Sequence, residues 1–414
     1  MSASAWTWVG LLAGGVLAGA GACAALVLPR GRDIIATAIA VASLATAVVS
    51  LVSIGRATGR VDTTIVAGFI ATASGFGGFA LAAALLPVWT SPRPFVTSPG
   101  IGADNRRIAV VMLAEGEPDS YDPSVVTAGF LDLEETGVPV PIEAARTLLY
   151  FSEKSRYTSV GAASGRTSAT SVADKLSLLL TPEIPNIDVH VAWLDPPDRL
   201  DSVMAEAVVE GYRRIAVVPF GIADSMHLDR AKVSVDALAP NAGGVRVAYA
   251  APLWGNSIIA RAVADQVLAS VPAMDRATTG VVLVGHGQPW QWDRTHPAGS
   301  EQETYFAQRV RALLLEEGFG PGMVRLGWLD WQDQGVSEAV RHLVAFGCQR
   351  VIVVPAAMPF ETLGTLIDLR GAAEEATLGT KVTLEVLPTW GDQPSVISAL
   401  ADAARSAIRE LPES

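Results

Sequence analysis

One of the five histidines, His286, stands at the end of an apolar run, Gly280-Val-Val-Leu-Val284, with Gly285 and Gly287 on either side. An imidazole so placed is free to accept a proton or hold a metal ion near neutral pH. A second run, Ile108-Ala-Val-Val-Met-Leu113, ends in a loop of the same kind but offers a carboxylate, Glu115, in place of the imidazole. Open α/β sheets place their sites in such loops, at the carboxyl ends of their strands. Proton transfer and transient metal binding are the chemistries these groups suit. The two cysteines, Cys23 and Cys348, are too few for a disulfide framework, a four-thiolate zinc site or a four-cysteine iron–sulfur cluster, so no cluster is expected.

These loops need a frame. Ile108 to Leu113, Ile215-Ala-Val-Val-Pro219, Gly280 to Val284 and Val351-Ile-Val-Val-Pro355 are short and apolar throughout, the pattern of parallel strands buried on both faces. Residues 202–210, 304–317 and 337–346 have the apolar spacing of amphipathic helices. Such alternation predicts an α/β fold with doubly wound, Rossmann-like sheets. The pattern also repeats: Gly211-Tyr-Arg-Arg-Ile-Ala-Val-Val-Pro219 matches Gly347-Cys-Gln-Arg-Val-Ile-Val-Val-Pro355, and Leu113-Ala-Glu-Gly-Glu-Pro118 matches Val284-Gly-His-Gly-Gln-Pro289. Two similar lobes facing one another across a cleft are expected.

The first quarter of the chain is of another kind. Half of the 414 residues are apolar and 17% are charged, against roughly a quarter charged in an ordinary soluble chain. Residues 1–94 carry five Arg and two Asp, whereas the remainder has a net charge of −15. An acidic chain without a basic face is not expected to bind nucleic acid. Uncharged stretches at 8–28, 34–54 and 65–89 each meet the ~20 residues needed to cross the hydrocarbon core of a bilayer. The first is not read as a cleaved signal, because no basic segment precedes it and two more spans follow. Trp6, Trp8 and Trp89 sit where interfacial aromatics belong, and Cys23 is read as facing lipid or a neighbouring helix. Arg30, Arg32, Arg93, Arg106 and Arg107 outnumber Arg56 and Arg60, which predicts a multi-pass cell-membrane protein with its large domain in the cytoplasm. With no ionisable residue inside a span, anchoring rather than transport is the expected role.

Five fragments in order resemble the ferrochelatase family, the two-lobed tetrapyrrole metal chelatases, over about residues 107–410. They are Leu113-Ala-Glu-Gly-Glu-Pro-Asp-Ser-Tyr-Asp122; Tyr157-Thr-Ser-Val-Gly-Ala-Ala-Ser164 with Thr170 and Leu176; Gly211 to Pro219; Gly285-His-Gly-Gln-Pro289 with Thr304; and Val354-Pro355 to Phe360-Glu-Thr-Leu363 with Ile367-Asp368. The resemblance implies a chelatase-like fold of two lobes, 107–270 and 271–414, joined through a 91–106 linker to a 1–90 membrane anchor. It implies that His286 and Glu361 are the catalytic and metal-handling residues. Glu115, Tyr157, Ser164, Trp290 and Trp292 are expected to contact the substrate, the tryptophans by stacking on a flat macrocycle, although they equally suit packing on the membrane surface or a partner. His227 resembles the second metal-binding histidine of the smaller cobalt and sirohydrochlorin chelatases, and is read either as a remnant or as a surface residue.

The sequence departs from the family pattern. Met358 and Pro359 replace the Asp and His before Glu361, and Thr365 replaces a downstream Glu. The leading expectation is insertion of a divalent metal, Fe2+ above others, into a porphyrin or related tetrapyrrole, with the metal as substrate and no tightly bound cofactor. The alternative is a degenerate chelatase fold that carries a tetrapyrrole or scaffolds a membrane complex. The expected partners are tetrapyrrole and membrane, with a membrane protein or a second copy of the chain also compatible with the pattern.

Overall fold

The computed structural model describes residues 3–90, 104–161, 164–195, 198–238 and 244–412. They divide into two compact units, one comprising 3–90 with 120–161 and the other 104–119 with 164–412.

The first unit is helical. The three uncharged stretches form α1 (Ala3–Val27), α2 (Arg32–Thr58) and α3 (Val61–Thr90), and the segments Ala5–Val27, Arg32–Thr58 and Val61–Val88 are long and apolar enough to cross a membrane. Small residues let these helices approach closely: a Cβ on Gly19 would lie 1.9 Å from the Gly75 carbonyl oxygen. Most of the linker, 91–103, lies outside the described residues, and from Asp104 the chain is already strand, β1 (Asp104–Ala114).

Beyond β1, α4 (Pro123–Glu135) and α5 (Glu143–Val160) return to the apolar helices. Asp122 caps α4 by accepting from Ser124 N (2.8 Å), with Pro123 at the first helical position. Tyr150 is buried among Cys23, Val27, Ala82, Ala83 and Leu86. Residues 120–161, expected in the first lobe, thus pack with the anchor, because these helices bury their contact faces on α1 and α3.

The second unit has the expected α/β architecture. After α6 (Gly165–Leu180) come β2 (Ile187–Trp193), α7 (Leu200–Val209), β3 (Tyr212–Phe220), α8 (Met226–Leu238), β4 (Arg246–Tyr249) and α9 (Ser257–Ser270). The second set is β5 (Thr279–Gly285), α10 (Trp290–Asp293), α11 (Ala298–Glu316), β6 (Val324–Trp328), α12 (Val336–Ala345), β7 (Arg350–Val354), α13 (Arg370–Thr377), β8 (Thr383–Val386) and α14 (Pro394–Glu410). Both four-stranded sheets are parallel, in the orders β2-β1-β3-β4 and β6-β5-β7-β8. β5 is buried along its whole length, as an uninterrupted apolar strand requires.

The lobes are not independent. α14 packs on β3, β4, α6 and α9, so the end of the chain completes the first lobe rather than the second. One apolar cluster joins β1, β3, α6 and α9 to β5, α11 and α14. A boundary at 270/271 therefore separates the two sheets but not their packing.

A further repeat appears at the strand ends. Trp193-Leu-Asp195 closes β2 and Trp328-Leu-Asp330 closes β6. Trp193 N donates to Asp198 O (3.0 Å) and Trp328 N to Gln334 O (3.1 Å), and both acceptors have left-handed backbones, at φ 64° and 66°. Leu194 N donates to Ala114 O (3.0 Å) and Leu329 N to Gly285 O (2.9 Å).

Candidate active site

The second lobe presents His286 just past β5. Its Nδ1 lies 2.8 Å from Gly287 O and its Nε2 3.3 Å from Glu115 Oε1, which comes from the loop after β1. Both ring nitrogens thus face acceptors, an arrangement satisfied only when both carry protons. Electrostatics agree: the Glu115 carboxylate, assisted by Glu303, Asp330 and the Gly287 carbonyl, overcomes burial and raises the His286 pKa to about 9. The side chain nevertheless remains 38% exposed, open to a ligand.

Glu303 stands behind the histidine on α11, accepting from Gly287 N (3.2 Å). Burial is the main cause that raises its pKa to about 7, against the opposing pull of His286. Sequence reading passed over this residue although a signal was present. Glu303 lies on the same stripe as buried Ala307, Val310 and Leu314, at intervals of four, three and four, so a carboxylate occupies a core-facing helical position. A Cβ on Gly285 would lie 2.8 Å from Glu303 Oε2 and 2.6 Å from the Trp328 ring, so only glycine fits beneath the carboxylate.

Glu361 follows β7, in a loop tied to the segment that carries Glu115 and Glu117. Phe360 is buried, with its ring 4.8 Å from that of Phe220, while Trp390 donates to the carbonyls of Pro355 and Ala356 and fixes the turn after β7. The Glu361 carboxylate accepts from Ser164 Oγ (2.7 Å), bringing two expected site residues together. Its carbonyl rests on Gly165, where a Cβ would approach to 2.3 Å. Glu117 Oε2 accepts from Leu363 N (2.6 Å). Glu115 and Glu117 therefore link the His286 and Glu361 loops, and two residues of extended chain reach about 7 Å at most.

The departures from the family pattern have structural work. Met358 is buried against the second sheet and its covering helices. Thr365 and Thr362 cap one another, Thr362 N donating to Thr365 Oγ1 (2.9 Å) and Thr365 N to Thr362 Oγ1 (3.2 Å), where the helical segment begins.

Other expected contacts fall elsewhere. Trp292 is 4% exposed with its ring edge-on to His227 at 4.7 Å, so it fastens the loop and has no free face for a macrocycle. Trp290 is exposed, with the Arg294 guanidinium 5.7 Å from its ring centre. His296 Nε2 meets Asp229 Oδ2 at 3.1 Å. Tyr157 belongs to the first unit, buried with its ring against Tyr121. Among the described residues, no group of three or more His, Cys, Asp or Glu side chains is arranged to hold a metal ion.

Comparison with known proteins meets this geometry in the lobe that carries His286. Residues 280–407 match the CbiX family model. The match covers the second lobe rather than the whole 107–410 stretch, and it is to CbiX rather than to a ferrochelatase. Among solved structures, SirB from Bacillus subtilis with Fe3+ is similar at 15% identity and TM-score 0.48, over 73% of this chain and 96% of that one. The sirohydrochlorin chelatase SirB from Bacillus subtilis subspecies spizizenii in complex with cobalt is similar at 13% identity and TM-score 0.47, with the same coverage. CbiX, the terminal enzyme for biosynthesis of siroheme in denitrifying bacteria, is similar at 16% identity and TM-score 0.43, over 72% of this chain and 99% of that one. No curated protein matches the sequence.

Proposed function

We propose that this protein is a membrane-anchored chelatase that inserts a divalent metal into a tetrapyrrole, with the catalytic unit on the cytoplasmic side. The observation that carries the reading is His286 set between two carboxylates, Glu115 and Glu303, at the strand ends of a CbiX-matching lobe. A porphyrin and Fe2+ are the finer assignment, taken from the five ferrochelatase-like fragments.

Metal insertion replaces two pyrrole N–H protons by one divalent ion. A metal meeting His286 Nε2 displaces the proton that Glu115 stabilises there, so capture is pH-dependent. On transfer to the macrocycle, His286 recovers a proton from one pyrrole nitrogen, and Glu303, with a pKa of about 7, takes the other. Release of the Glu303 proton to solvent leaves two protons liberated per metal inserted. Among the described residues no three such ligands cluster, so the metal would be held weakly until the macrocycle nitrogens complete its shell, as a transfer reaction requires.

The test is anaerobic metallation by the purified full-length protein, with Fe(II) or Co(II) offered to sirohydrochlorin or protoporphyrin and followed by absorbance. Turnover that disappears in His286→Ala supports the proposal. A wild-type protein that metallates neither tetrapyrrole contradicts it, and stoichiometric tetrapyrrole binding without turnover would favour the carrier alternative.

A further inference from the structure

The α4–α5 hairpin of the first unit has apolar side chains that its packing does not explain. Ile142, Leu148, Leu149 and Phe151 are 73%, 63%, 42% and 47% exposed. They lie on one broad face of the first half of α5, opposite the buried Arg146, Thr147 and Tyr150, while the second half reads Ser152-Glu-Lys-Ser-Arg-Tyr-Thr-Ser159. The helix is thus divided along its length, apolar at one end and polar at the other.

Its neighbours fix the level at which that division falls. Arg146 and Tyr150 line a small cavity with Ala83, Leu86 and Pro87, all within the Val61–Val88 segment. Lys154 Nζ donates to Ala25 O (3.1 Å) in the last turn of α1 and pairs with Asp33 (2.6 Å) just beyond it, while Tyr121 Oη donates to Val27 O (2.7 Å). The apolar half of α5 therefore runs beside the terminal turns of the spans, and its polar half begins where those spans end. Of the charges in this half, Arg146 is buried against Glu134 and donates to Pro141 O (2.7 Å), while Glu143 stands exposed in the first turn, off the face that carries Leu148, Leu149 and Phe151.

We propose that α4 and α5 form a fourth membrane-contacting element, a hairpin that enters one leaflet without crossing it, with Ile142, Leu148, Leu149 and Phe151 in contact with lipid acyl chains. Residues 123–160 carry five acidic and three basic residues, so apolar burial rather than attraction to anionic headgroups drives the insertion.

Spin labels test this in the full chain, reconstituted in phosphatidylcholine–phosphatidylglycerol vesicles, with the native Cys23 and Cys348 replaced by Ala. Labels at Leu148→Cys and Phe151→Cys are expected to collide with oxygen over a water-soluble nickel chelate at a ratio matching Leu81→Cys on α3 and severalfold above Ser159→Cys. A ratio equal to that of Ser159→Cys, or low collision with both reagents because protein covers the site, overturns the proposal. A photoreactive benzoylphenylalanine at position 151, with both cysteines retained, gives an independent reading: adducts to lipid support it, and adducts only between chains overturn it.

Discussion

The two lobes use one backbone frame for opposite chemistry. In each, a tryptophan ends the edge strand, its amide bound to a residue with left-handed backbone, and its ring lies against a glycine of the central loop, Gly116 under Trp193 and Gly285 under Trp328. In the first lobe a cation occupies this place: the Arg166 guanidinium lies 4.7 Å from the Trp193 ring centre and donates to Gly116 O and Asp195 O. In the second, the carboxylate of Glu303 stands beside Gly285, and His286 projects from the loop. A guanidinium fastened to carbonyls repels a metal, whereas an imidazole flanked by carboxylates attracts one. The two loop frames are alike and the side chains placed in them differ, a guanidinium bound to carbonyls in one and a carboxylate behind a histidine in the other.

The largest effect expected from breaking this comparison is on stability. Trp193→Ala and Trp328→Ala each remove a buried indole and should cost about 3–5 kcal/mol in denaturant unfolding. Both should also shift the His286 titration measured by NMR, Trp328→Ala through the Gly285 backbone and Trp193→Ala through Gly116 beside Glu115. Next, Gly165→Ala drives a methyl into the Glu361 carbonyl and should cost about 1–3 kcal/mol, more than Ser164→Ala, which removes only an exposed hydrogen bond to the Glu361 carboxylate. Arg166→Met forfeits ring and carbonyl contacts of about 1 kcal/mol and should leave metal insertion unchanged.

Stability should also depend on pH. Glu303 has its folded pKa raised to about 7, so its contribution falls as pH rises from its unfolded value near 4.5 through 7. The raised His286 pKa gives a contribution present below about 6.5 and lost as pH rises through 9. Melting temperature should therefore decline across both intervals. Glu303→Gln should flatten the lower one and Glu115→Gln the upper one, with the His286 pKa moving down toward its ordinary value.

Much of this frame is legible in the sequence because buried parallel strands are uninterrupted apolar runs and membrane spans are longer uncharged ones. His286 is legible because it follows such a run between two glycines. Glu303 is harder to see, since a carboxylate among the polar residues of a helix stands out only once its alignment with Ala307, Val310 and Leu314 is traced. The Trp-Leu-Asp repeat escapes notice because its equivalence lies in backbone geometry at Asp198 and Gln334, where the residue types differ. The attachment of 120–161 to the apolar helices is hidden because the face of α5 that packs there carries Arg146, Thr147 and Tyr150, while its aliphatic face is the exposed one. Trp292 looks like a stacking residue in sequence, and only its burial against His227 shows that it braces the loop.

The proposed function puts the acid–base work on His286 and Glu303 of the second lobe, with Glu115 reaching across from the first, and leaves Arg166 of the first lobe a structural part. Anaerobic Co(II) insertion into sirohydrochlorin by the full-length protein, compared between Glu303→Gln and Arg166→Met, tests this most directly. Glu303→Gln is expected to lose about a hundred-fold or more in turnover, the range a positioned acid–base group contributes, while Arg166→Met retains the wild-type rate. Equal losses in the two variants, or a loss confined to Arg166→Met, would contradict it.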